Sequence, residues 1–191
     1  MAIRKRTVLG TVVVLVGILA AACGGGSSDS SISMPIIEDG AASAPSGPLA
    51  DDFTFPLYNG SAFLDGSNEV TLSALQGRPV IINFWAPLCP PCRAEMPDFQ
   101  ERWQELQAEG SDALILGVDI GPFTGLGDRQ QAIDFLNTIN VTYPTGQAVD
   151  AGIVRDYKVL GMPTTVFINR DGTIMKTWTG AINGSKLREL I

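Results

Sequence analysis

Cys89-Pro90-Pro91-Cys92 is the segment whose residue types and spacing most directly imply chemistry. The apolar run Val80-Ile81-Ile82-Asn83-Phe84-Trp85 precedes it, and a helical pattern follows. Cys89 therefore falls just before a helix start, where unpaired N–H groups and the positive end of the helix dipole favour a thiolate. The thiolate is the form that attacks disulfides. Cys92 falls in the first turn, close enough to close a disulfide with Cys89 and release a bound partner. The two prolines remove two N–H donors and stiffen the link, which tunes the redox balance of the pair. Three other readings fit a Cys-x-x-Cys less well. A structural disulfide across so tight a loop removes little chain entropy. A metal site would need a second Cys pair or histidine. A peroxide-reducing thiol would need a Pro-x-x-x-Thr-x-x-Cys arrangement ending at Cys89, which the sequence lacks.

Composition narrows the function further. The 191 residues include no histidine, which excludes Ser-His and Cys-His catalysis and His-ligated metals. Thirteen Lys and Arg against 20 Asp and Glu give a net charge of −7. Arg4, Lys5 and Arg6 are the ionic residues of the first 22, so a chain without that segment carries −10. Such a chain lacks the clustered cations that phosphate contacts require, so no nucleic-acid partner is expected. There is no Gly-rich phosphate loop, dinucleotide fingerprint or Walker motif, and no cofactor is expected. Three cysteines leave one outside any single intrachain disulfide.

That third cysteine lies at the end of a targeting pattern. Arg4-Lys5-Arg6 precede the apolar run Val8 to Ala22, which closes in Leu19-Ala20-Ala21-Ala22-Cys23. A basic start, an apolar stretch and small residues at its end describe a secretory signal. Thr7 to Ala22 is 16 residues, shorter than the roughly 20 needed to span a bilayer. The end resembles a bacterial lipoprotein signal, in which the Cys becomes the lipidated first residue. Leu19 here stands four residues before Cys23, where such signals usually have three. The expected organisation is a lipoprotein signal over 1–22, a Gly/Ser/Pro-rich tether over 23–49 and a folded domain over 50–191.

The domain must position the cysteine pair. Short strand-like pieces lie between Phe53 and Val70, separated by Asn59-Gly60 and Asp65-Gly66 turn signals. Thr71 to Leu75 reads as a helical turn. Val80–Trp85 and Ala113–Val118 are continuous apolar runs, as strands covered on both faces must be. Between them Cys92, Met96, Phe99, Trp103 and Leu106 recur at helical spacing, and Gly110 suits the helix end. Asp128 is placed to cap a second helix, and a short third helix follows Asp150. Thr164–Asn169 and Thr173–Trp178 form a hairpin around Asp171-Gly172. A last helix begins near Gly184. This order predicts an α/β fold: a mixed β-sheet with helices on both faces and an N-terminal strand-rich extension.

Phe84-Trp85-Ala86, Cys89-Pro90-Pro91-Cys92-Arg93-Ala94-Glu95-Met96-Pro97 and Gly161-Met162-Pro163-Thr164-Thr165 together resemble the thioredoxin superfamily. Within it, the chain is similar to the extracytoplasmic, membrane-tethered thiol-disulfide oxidoreductases of the TlpA and ResA type. The likeness covers nearly all of 50–191, strand-rich start included. The resemblance implies a thioredoxin-like fold, Cys89 as the attacking, surface-side thiol and Cys92 as the resolving one. It implies that Pro163 is a cis-proline bringing Met162 and its backbone to the cysteine pair, where a substrate chain binds. Thioredoxin itself has a buried Asp where this chain has Asn83. The tethered branch instead carries a Glu three residues after the second Cys, and Glu95 occupies that place. Cys92 and Glu95 share a helix face at i, i+3, so a partly buried Glu95 would have a raised pKa and could exchange protons with a thiol. Leu88 replaces the Trp many relatives have before the first Cys.

The sequence thus points to a lipid-anchored, extracytoplasmic enzyme acting on disulfides of exported proteins. The resemblance favours reduction, for example of apocytochrome c, with electrons from a membrane dithiol donor. A disulfide oxidase or isomerase would use the same residues, and a tethered redox-inactive binding module would use neither cysteine.

Overall fold

Val80–Trp85 (β3) and Leu114–Asp119 (β4) form the parallel centre of the sheet, and every residue of both is buried. The structure is a computed structural model and describes residues 47–191. The signal segment, Cys23 and the tether before residue 47 lie outside the described residues. The seven strands among the described residues run in the order Glu69–Thr71 (β2), Thr54–Asn59 (β1), Thr145–Gln147 (β5), β4, β3, Thr164–Ile168 (β6) and Ile174–Thr179 (β7). Thr54–Asn59 (β1) and Glu69–Thr71 (β2) make an antiparallel pair. Thr145–Gln147 (β5) lies parallel to β4 and antiparallel to β1. Thr164–Ile168 (β6) and Ile174–Thr179 (β7) form the hairpin at the far edge, with β6 antiparallel to β3. The mixed sheet is therefore as expected from the order of elements.

β5 has no counterpart in the sequence reading, because three residues containing Gly146 show no periodicity. It nevertheless joins the N-terminal hairpin to the central sheet. Gly146 is required there: a Cβ would overlap the Pro56 carbonyl oxygen and come within 2.9 Å of the Leu57 Cα. Gly146→Ala is expected to separate β1 from β5 and to cost about 1–3 kcal/mol of stability, read as a lower urea midpoint. The strand-like Ser61–Phe63 is a 3-10 turn instead. Gly60 turns the chain there with φ 83°, and Phe63 packs edge-on against Trp103 at 4.8 Å.

Among the described residues, five α-helices accompany the sheet. Pro90–Ala108 (α1) follows β3, and its predicted stripe from Cys92 to Leu106 is buried. Gly121–Thr124 (α2), a single turn, leads to Arg129–Thr138 (α3), capped by Asp128 in a reciprocal box with Gln131. Gly152–Asp156 (α4) and Gly184–Leu190 (α5) follow. Successive strand residues point to opposite faces. Trp85 meets Phe135 of α3 at 5.9 Å, while Phe84 meets Tyr157, just past α4, at 5.2 Å. Helices thus cover both faces, as predicted. At the N-terminal side Ile174 N–H donates to Pro48 O at 2.8 Å and Leu49 bridges Thr173. The chain joins the sheet at Pro48, two residues before the expected domain start.

Candidate active site

Cys89 is the N-cap of α1, and the Cys92 backbone N–H donates to its Sγ at 3.3 Å. This is the arrangement the strand–loop–helix reading predicts. The two cysteines form a disulfide with Cα atoms 5.3 Å apart. One expectation is narrowed. Cys89, read as a surface-side thiol, is only 3% exposed, and Cys92 is fully buried. The disulfide turns the Cys89 sulfur toward Cys92, and Leu88, Pro90 and Pro91 occupy the surface instead.

The loop bearing Cys89 is held from three sides. Leu88 N–H donates to Leu126 O at 2.9 Å, and Cys89 N–H donates to Ala86 O at 3.2 Å. Arg93 reaches back to Pro87 O at 3.0 Å while its guanidinium stacks on Phe135 at 4.0 Å. Leu88 remains 48% exposed, an apolar side chain beside the disulfide. Phe84 pairs with Thr164, so Pro163 stands level with Trp85, at the strand end from which the cysteine loop leaves. The Met162–Pro163 bond is cis. Gly180 N–H donates to Pro163 O at 2.8 Å and the Thr164 hydroxyl to Gly161 O at 2.7 Å, fixing this turn. Met162 packs against the core.

Glu95 is buried, one helical turn beyond Cys92, and only 3% exposed. Its Oε1 accepts from Asn83 Nδ2 at 2.7 Å, and its Oε2 accepts from the Ile182 N–H at 2.9 Å. Burial pushes its pKa up to about 7, although the Ile182 and Asn83 N–H groups pull it down; Asp98 adds to the rise. A carboxyl with this affinity can take up and return a proton near neutral pH. The sequence placed Glu95 on the face of Cys92 but held no sign of Ile182, which arrives from the turn before α5.

A second buried carboxylate, Asp119, was missed. It ends β4 in register with Trp85. Gly121 N–H donates to its Oδ1 and the Tyr58 hydroxyl to its Oδ2, both at 2.8 Å. Burial raises its pKa to about 6 against those two donors, and Asp128 adds to the rise. Its signal was an acid closing an apolar strand; Tyr58 had none. Asp119 anchors the turn to α2, whose following loop packs on the cysteine loop: a Cβ on Gly127 would overlap the Pro87 ring.

A redox cysteine pair at a helix start, on a mixed sheet with a cis-proline at the same strand end, defines a thiol-disulfide oxidoreductase of thioredoxin-like fold. The chain belongs to the AhpC/TSA family, whose model matches residues 47–177. It is 33% identical over 141 residues to the thiol-disulfide oxidoreductase ResA of Oceanobacillus iheyensis, covering 74% of this chain and 68% of that one. It is 27% identical over 122 residues to ResA of Bacillus subtilis, covering 63% and 64% respectively. The crystal structure of StoA from Bacillus subtilis superposes with a TM-score of 0.59 at 23% identity, over 74% of this chain and 98% of that one. The protein is thus an enzyme of thiol–disulfide exchange. No helix among the described residues is long and apolar enough to cross a membrane.

Proposed function

We propose that the protein is a reductase of disulfides in exported proteins, held outside the cytoplasm by a lipid on Cys23. The observation that carries the catalytic part is the capping position of Cys89, whose sulfur receives the Cys92 N–H. A donor placed there stabilises a thiolate in the reduced enzyme. The Cys89 thiolate attacks one sulfur of a substrate disulfide. That S–S bond breaks, a mixed disulfide forms, and the other substrate sulfur leaves as a thiolate. Cys92 gives its proton to Glu95 and attacks the Cys89 sulfur. The second substrate sulfur leaves, and the enzyme keeps the Cys89–Cys92 disulfide. The substrate has gained two electrons and the enzyme has lost them.

The turn at Met162 and Pro163 supports the substrate chain by strand-like backbone pairing beside the sulfurs. A membrane dithiol donor reopens the enzyme disulfide, and the cysteine pair of apocytochrome c is the substrate the resemblance favours. The Arg4–Ala22 signal pattern supports the location. Equilibration with a thioredoxin couple tests the direction. A potential near about −270 mV or lower is expected of a reductase, whereas one near about −120 mV makes the protein a disulfide-forming oxidase and overturns the reading.

A further inference from the structure

We propose that Asn83 is a positioning residue for Glu95, whose side-chain amide holds the charged carboxylate and so governs when Glu95 releases its proton. This rests on the reading of Glu95 as the proton partner of Cys92, and goes one residue further into the sheet.

Asn83 lies in the middle of β3 and is fully buried. Its neighbours in register are Gly117 on β4 and Thr165 on β6. Gly117 presents no side chain to compete for the amide, and a Cβ there would run into the Thr145 side chain of β5, at 2.7 Å. Thr165 Oγ1 accepts one Asn83 Nδ2 hydrogen at 3.3 Å, and Glu95 Oε1 accepts the other at 2.7 Å. Both amide hydrogens are thereby committed, and the amide is aimed at α1. Asn83 Oδ1 is left without a hydrogen-bond partner among the described residues. A buried amide that leaves its own acceptor unpaired while serving a carboxylate is placed for that carboxylate.

The groups facing Glu95 make the role of Asn83 decisive. From its own helix come Asp98, whose charge disfavours a second anion, and Cys92 one turn earlier. From the segment before β5 comes the buried phenol of Tyr143, whose own ionisation is opposed by burial and then by Glu95. The segment before α5 contributes only the Ile182 N–H. Among the described residues, no cation is one of the groups that act on Glu95. Two neutral N–H donors are all that hold its charged form against burial. One belongs to the backbone; the other is the Asn83 side chain. An Asp in this place would set an acceptor-only group against another.

The test is titration of the Glu95 carboxyl carbon by NMR in the whole protein, wild type against Asn83→Leu and Asn83→Asp. Loss of one hydrogen bond to a charged group raises the Glu95 midpoint by about 1–2 pH units in Asn83→Leu. Asn83→Asp keeps the side-chain volume should Leu prevent folding, and gives a coupled two-step titration with the upper step above the wild-type midpoint. A Glu95 midpoint within about 0.3 unit of wild type in the variants overturns the proposal. The thiol titration of the reduced protein, read in parallel, separates the two readings. If Glu95 shifts while the thiols do not, Asn83 positions Glu95 and the proton-partner reading fails. If Glu95→Gln moves the thiols while Asn83 variants leave Glu95 unmoved, the positioning proposal fails and the partner reading stands.

Discussion

A Cys92→Ser variant is expected to accumulate mixed disulfides through Cys89, and its turnover with a protein disulfide is expected to fall at least about 10³-fold. The fall follows from geometry. In the wild type the sulfur that resolves the mixed disulfide is one helical turn from the sulfur it must attack, and its attack is intramolecular. Well-oriented intramolecular attack carries effective molarities of roughly 10⁵ M or more, which a dissolved thiol at millimolar concentration cannot match. Serine is a close, slightly smaller replacement whose hydroxyl is too weak a nucleophile to take over. The helix-cap position of Cys89, whose sulfur receives the Cys92 N–H, is the reason Cys89 is expected to carry the trapped partner. Cys89→Ser is therefore expected to trap nothing and to lose turnover as fully. Non-reducing gels of each variant after exposure to unfolded, disulfide-bonded protein make the check, and mass spectrometry of the captured band identifies the substrate. Adducts on Cys92 in the Cys89→Ser variant, at yields like those of Cys92→Ser, would reverse the assignment of attacking and resolving sulfur.

The parts of this site that the sequence made legible are those specified by neighbours in the chain. Val80–Trp85 and Leu114–Asp119 had to be strands buried on both faces because they offer almost no polar side to water. The stripe from Cys92 to Leu106 had to face them. Those two facts alone put Cys89 at a helix cap. What stayed hidden depends on residues distant in the chain. The burial of Glu95 has no sign in its own helix pattern, since Ile182, whose N–H donates to its Oε2, is 87 residues away. Tyr58 and Asp119 are 61 residues apart and meet only because β5 lies between β1 and β4 and joins them in one sheet. β5 itself is too short to have a period. The near-burial of Cys89 was hidden for another reason. Exposed Leu88, Pro90 and Pro91 surround it, and sequence spacing says nothing about which way a sulfur turns once it is bonded.

Replacing Glu95 by Gln is expected to change both the stability profile and the chemistry around neutral pH, in directions fixed by the sign of its shift. The Glu95 carboxyl ionises at about 7 in the folded protein against an ordinary 4.5. Below 4.5 it is protonated folded or unfolded and contributes no pH dependence. Between 4.5 and 7 the unfolded chain gives up the proton that the folded protein still holds, so stability falls as pH rises. Above 7 the loss is complete, about 3 kcal/mol for a shift of this size. Asp119, ionising at about 6 instead of 3.8, adds a fall of the same sign at lower pH. The glutamine of the variant has no proton to lose in this range. It can still accept one of the two N–H bonds, and its own N–H₂ can donate to the unpaired Asn83 Oδ1 if that amide turns. Urea unfolding is therefore expected to show Glu95→Gln more stable than wild type by about 2–3 kcal/mol near pH 8, with little difference near pH 4.5. On the proposed reading, that lost stability accompanies an ionisable group held one helical turn from Cys92. As pH passes through 7 the ionised fraction of Glu95 grows and with it the capacity to take the Cys92 proton. The wild-type rate of mixed-disulfide release should rise across that range, and the Gln variant should lack that rise while its thiol titrations move. Two parallel stability profiles would show that Glu95 is ionised in the same pH range folded and unfolded. Identical release profiles would show that Cys92 loses its proton elsewhere.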